Sequence, residues 1–125
     1  MLQKENRLTR KRDFEILFKE GRFVPGTLTT MKYWKVQPEK YPKRGYNTAD
    51  LKIGFIVSAK FSKKAVDRNR VKRQMREVVR LLLKENKIPV GYMIAIMVKN
   101  EMLGKEYGEI EKSIVQMLKR ANLFM

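Results

Sequence analysis

The stretch AVDRNRVKRQMREVVR, residues 65–80, carries six arginines and lysines against two acids, yet Val71, Met75, Val78 and Val79 are threaded through it. At about 100° per residue along a helix, Val71, Met75, Val78, Val79 and Leu82 fall in one arc roughly 100° wide. Asn69, Lys72, Arg73, Arg76 and Arg80 fall in an arc of similar width centred roughly opposite, with Arg68 near the border of the apolar one. Read as a helix over roughly residues 63–86, the segment has one face that must pack and one that must stay outside. Asn86 and the following IPVG close it, because proline cannot continue a helix.

The outer face calls for a partner. Solvated helix faces usually mix both signs, whereas Glu77 stands almost alone among these bases. Like charges one turn apart repel by about a few tenths of a kcal/mol per pair, so an anion would relieve this face. Four of the five bases between Arg68 and Arg76 are arginine, whose planar fork suits bidentate phosphate contact. The chain as a whole carries a net charge of +16, from 29 basic and 13 acidic residues. Such a field attracts polyanions. Nucleic acid is the first partner class and an anionic membrane surface the second. The membrane reading is the weaker, since the apolar face here is a core face without the Trp and Phe of a lipid-inserting helix.

The 125 residues contain no cysteine and no histidine. That removes disulfides, Cys/His zinc sites, thiol nucleophiles and the commonest general base. Only Asp13 with Glu15, and Glu109 with Glu111, place acids close together, and both pairs read as helix solubility rather than metal ligands. A nuclease acting alone is therefore not expected. No apolar run approaches the roughly 18–20 residues needed to span a bilayer. The beginning, MLQKENRLTRKRDF, lacks the apolar centre of a secretory signal, so the chain reads as cytoplasmic.

Around the basic helix the remaining elements are short. TRKRDFEILFKE (9–20) spaces Phe14, Leu17 and Phe18 as a narrow helical stripe, with Gly21 as its stop. TLTTMKYWKV (27–36) and LKIGFIVSAK (51–60) read as strands, separated by an extended loop over 37–50. Gly54 inside the second strand marks a bulge or a close approach to the backbone. YMIAIMVK (92–99) reads as a central strand. The closing segment reads as a helix with Ile110, Ile114, Met117, Leu118 and Ala121 on one side. The expectation is one domain over 1–125, an α+β sandwich of three helices on a mixed sheet of about four strands. Its order is α-β-β-(β)-α-β-α, the bracketed strand lying near the long loop.

The run SKKAVDRNRVKRQMRE strongly resembles the Arg-Asn-Arg signature of the bacterial ribonuclease P protein family, through Ala65, Val66, Arg68, Asn69, Lys72, Arg73, Arg76 and Glu77. RLTRKRDFEILFKEGR resembles that family's first helix, and IGFIVSAK the strand before its signature. The resemblance implies a left-handed strand–helix–strand crossover between 51–60 and 92–99. It also implies a subunit that binds a catalytic ribonuclease P RNA and the 5′ leader of precursor tRNA, assisting removal of the leader. The chemistry would lie on the RNA with Mg²⁺ bound mainly through it, with no organic cofactor and a monomeric protein.

By the same resemblance, Arg68, Asn69, Arg70, Lys72, Arg73 and Arg76 would meet the catalytic RNA. Phe14 and Phe18 would line a cleft for the single-stranded leader, where stacking contributes about 1–3 kcal/mol per base. On spacing alone these two rings read as core. Ser58, Lys60 and Arg68 would add leader contacts, and Lys32 and Trp34 share a face beside them. The sequence departs from the pattern at Ala59–Lys60, where many relatives carry two lysines, and by an apparent extra residue before Ala65. The alternative is another basic RNA-binding protein, such as a ribosomal protein without a catalytic role.

Overall fold

Side chains alternate across a strand, so a sheet covered on both sides sorts its apolar residues into two sets. The computed structural model describes residues 2–58 and 60–125 and shows such a sheet. Its strands are β1 (Arg22–Pro25), β2 (Thr29–Lys35), β3 (Leu51–Ile56) and β4 (Tyr92–Val98), in the order β1-β2-β4-β3. β1 and β2 form an antiparallel hairpin, β2 pairs antiparallel with β4, and β3 runs parallel to β4. The helices are α1 (Lys11–Glu20), α2 (Ala65–Lys84) and α3 (Tyr107–Arg120).

Met31, Ile53, Ile94 and Ile96 bury one sheet face against Val71, Met75, Val78 and Val79 of α2 and Ile110, Ile114, Met117 and Leu118 of α3. Trp34, Met93 and Ala95 cover the opposite face with Ile16 and Leu17 of α1. The result is three layers, with α2 and α3 below the sheet and α1 above it. β4, bonded on both edges, is the strand whose residues 93–96 are all buried, as its unbroken apolar run requires.

Asn86 and Asn122 take left-handed backbone with φ of 56° and 58° just beyond α2 and α3. Asparagine tolerates that region, and it turns the chain out of the helix. α3 starts on a capping box in which Glu109 accepts the Glu106 N–H at 3.1 Å. Glu109 therefore serves the helix end rather than general solubility.

The fourth strand lies elsewhere than expected. It is RFVP, directly after α1, while the 37–50 loop holds two short 3-10 turns. Four residues with only Val24 buried give no usable period, and Pro25 marks an edge strand rather than a central one. Strand β3 stops at Ile56, so Ser58 and Lys60 are exposed residues of the turn beyond it. The departure at Ala59 lies outside the described residues.

Candidate nucleic-acid interface

α2 separates core from charge as its sequence requires. Val71, Met75, Val78 and Val79 are buried, while Asn69, Arg70 and Arg73 are exposed and Lys72 and Arg76 half-buried. Lys64 at the helix N-cap makes no side-chain cap. Ser62 organises the turn instead: its hydroxyl accepts the Lys64 N–H at 3.2 Å and donates to Asp67 Oδ2 at 2.9 Å. Arg68 donates from Nη1 to the Ser62 carbonyl at 2.6 Å, which fixes its stem at the start of the basic face.

Arg80 leaves the free cationic arc to which its spacing assigned it. Its Nη2 and Nε reach Glu77 Oε1 and Oε2 at 2.6 and 3.0 Å. That bidentate bond holds the Glu77 carboxyl below the usual glutamate range and raises Arg80. Both groups face solvent, where such a pair contributes little to stability. Val66, Asn69, Arg73 and Arg76 line a shallow recess on the outer face.

Sequence reasoning missed Arg7. The segment before α1 adds to the open edge of β3: Arg7 bridges Ile53, and the Leu8 N–H donates to the Ile53 carbonyl at 3.1 Å. Arg7 thereby joins Lys72 and Arg76 around a cavity floored by Gly54 and Phe55. Only the long-range pairing reveals this.

Above the sheet, Phe14 is half-buried and Phe18 is 38% exposed. Phe14 lies on Gly54: a Cβ there would sit 2.6 Å from the tip of the ring. Gly54 therefore marks a close approach, not a bulge. Lys32 Nζ stands 5.4 Å from the Phe18 ring centre and donates to the Phe18 carbonyl at 2.7 Å. On the same sheet face, Thr30, Met97 and Ile56 form a half-buried row by register. Rings and row make a groove, neither sealed core nor open surface. Trp34 is only 5% exposed and is core, ringed by Tyr41 and Tyr46. Asp13 is only 6% exposed rather than solvated, and Tyr46 donates its hydroxyl to it at 2.7 Å. Burial first, then this bond, pushes the Tyr46 phenol well above its ordinary value.

The family profile described as Ribonuclease P matches residues 2–122. The chain belongs to the ribonuclease P protein family. A ribonuclease P protein component of a Pseudanabaena species is 33% identical over 123 residues, 98% of this chain and 97% of that protein. One of Alkaliphilus oremlandii is 32% identical over 118 residues, 94% of this chain and 92% of that protein. The solved ribonuclease P protein of Thermotoga maritima superposes with a TM-score of 0.71 at 26% identity, covering 91% of this chain and 96% of its own. That of Staphylococcus aureus gives 0.78 at 23% identity, covering 98% and 100%, a likeness of fold.

Several acids are engaged locally: Asp13 with Tyr46, Glu77 with Arg80, and Glu109 with the α3 cap. No group of three or more Asp, Glu, His or Cys side chains among the described residues could hold a metal ion. No helix among the described residues is long and apolar enough to cross a membrane.

Proposed function

We propose that this chain is the protein subunit of a ribonucleoprotein endoribonuclease, binding both its catalytic RNA and the 5′ leader of precursor tRNA. The carrying observation is that the basic face of α2 and the aromatic flank of α1 approach each other around one sheet edge, β3. Gly54 lies under Phe14 above the sheet and also lines the cavity of Arg7, Lys72 and Arg76.

Arg70, Arg73 and Asn69 stand free to meet the phosphates of a folded RNA, and Arg68 holds its guanidinium at the border. Each neutralised phosphate releases condensed counterions, giving affinity that is strong at low salt and independent of sequence. The groove of Phe14 and Phe18 suits unpaired bases, since every base has a face to stack. Ser58 and Lys60, exposed beyond β3, reach the leader backbone in this reading. Pinning catalytic RNA and leader to one rigid sheet lowers the entropic cost of presenting the cleavage site. The hydrolytic centre belongs to the RNA partner, with Mg²⁺ bound mainly through it, and this chain supplies orientation and charge.

The test is cleavage of a precursor tRNA at low Mg²⁺ by a bacterial ribonuclease P RNA, with and without this protein. Strong stimulation that a basic control protein of equal charge does not give is the expected result. Tight RNA binding without stimulation would point to a ribosomal-type role instead.

A further inference from the structure

The groove does not end at Phe18. Phe23 on β1 is 57% exposed, the most open aromatic among the exposed large hydrophobics. It pairs directly across the hairpin with Lys32, so the two side chains rise from the same sheet face about 4.5–5.5 Å apart at Cβ. That face is the one α1 covers, because Lys32, two residues before Trp34 on β2, shares its face and reaches Phe18. Phe18, Lys32 and Phe23 therefore form a contiguous aromatic–cation–aromatic strip. It continues the line of Phe14 and Phe18 from β3 across the sheet to its opposite edge. A lone exposed ring is ordinary on a protein surface. An exposed ring that extends a half-open groove, paired across the hairpin with a lysine that reaches the next ring, is a stacking platform.

We infer that Phe23, with Lys32, forms an additional base-stacking site at the far end of the groove, taking an unpaired nucleotide of the leader upstream of those held by Phe14 and Phe18. The inference rests on the leader-binding reading and extends it to how much leader the protein grips. The occupant is single-stranded RNA on grounds of charge and shape. The Lys32 ammonium lies beside the Phe18 ring, Lys32 stands opposite Phe23 across the hairpin, and the chain carries +16 overall. A flat ring beside a cation fits a base and its phosphate. Stacking of this kind is indifferent to sequence, so the site adds reach rather than base specificity.

The experiment uses holoenzyme reconstituted with Phe23→Ala, Phe23→Trp or Phe14→Ala protein. Its affinity is measured for precursor tRNAs carrying no leader, a short leader, or successively longer ones. With Phe23→Ala the expected loss is about fivefold or more, confined to leaders long enough to reach β1, the lower end of one stacked base. Phe23→Trp restores the affinity, and circular dichroism shows that Phe23→Ala retains its fold. Phe14→Ala weakens binding of short and long leaders alike. If Phe14→Ala behaves so while Phe23→Ala is independent of leader length, the platform is overturned and the leader reading stands. If neither variant distinguishes leader-bearing from leaderless RNA, the leader reading itself falls, and the platform with it.

Discussion

Phe14 rests its ring on Gly54, 40 residues further along the chain, where a Cβ would lie 2.6 Å from Cζ and 2.9 Å from Cε1. Glycine at this point of β3 is what lets α1 lie close to the sheet. Gly54→Ala should push the ring outward and loosen α1, destabilising the fold by about 1–3 kcal/mol, as overpacking does. It should also weaken leader-bearing RNA more than leaderless RNA. Urea unfolding and paired binding measurements check both. A stable variant with unaltered leader preference would show that the ring has room to move without consequence.

The Tyr46–Asp13 bond ties the 37–50 loop to α1 on the flank away from the groove. Removing the donor with Tyr46→Phe leaves a buried carboxylate short of a partner, a loss of about 1–3 kcal/mol. The same bond makes stability depend on alkaline pH. Because the folded protein raises the Tyr46 phenol pKa, it keeps the proton where the unfolded chain, at about pH 10, gives it up. The contribution is complete below that pH and declines as pH rises through and beyond it. The sole tryptophan, Trp34, stands 5.6 Å from the Tyr46 ring and reports the local state. Unfolding midpoints between pH 8 and 11, followed by its fluorescence, should fall more steeply in the parent than in Tyr46→Phe. Parallel curves would remove Tyr46 from the account.

The parts of this architecture legible in the sequence are those that depend on neighbours a turn or two apart. The division of α2 into Val71, Met75, Val78 and Val79 on one side and Asn69, Lys72, Arg73 and Arg76 on the other follows from helical period alone. The unbroken run of β4 likewise announced a strand bonded on both edges. What stayed hidden depends on distant partners. Asp13 becomes a buried acceptor only because Tyr46, 33 residues away, folds over it. Arg7 joins the cations of α2 only through its bridge to Ile53 on β3. Strand β1 owes its existence to pairing with β2 rather than to any pattern of its own. Phe14 and Phe18 sat between the two cases. Their spacing named a helix face but could not say whether the rings would be sealed or left half-open.

Ser113 interrupts the apolar face of α3 and is 1% exposed. Its hydroxyl accepts the Leu28 N–H at 3.1 Å and shares a hydrogen bond with Thr29 Oγ1 at 2.9 Å, fastening the β1–β2 hairpin to the helix beneath. Ser113→Ala keeps nearly the same volume but deprives the Leu28 N–H of this acceptor. The expected destabilisation is about 1–3 kcal/mol, read from urea unfolding, with RNA affinity under native conditions unchanged. A change in affinity at unchanged stability would mean the hairpin position, not its anchoring, is what Ser113 sets.

Arg73 is exposed and Arg76 half-buried on the arc opposite the core, and both line the same recess with Asn69. Arg80, one turn further on, is already held by Glu77. Replacing Arg73 and Arg76 together with Ala should weaken binding to the catalytic RNA and flatten its salt dependence. The log–log slope should fall by about 0.7–0.9 for each phosphate that is no longer neutralised. Arg80→Ala should change the slope less, because its guanidinium is engaged within the helix. Affinity titrations across a range of KCl concentrations separate the two. An unchanged slope in the double variant would sink the assignment of this face to RNA. A slope flattened equally by Arg80→Ala would instead show that RNA takes Arg80 away from Glu77, extending the interface one turn further along α2.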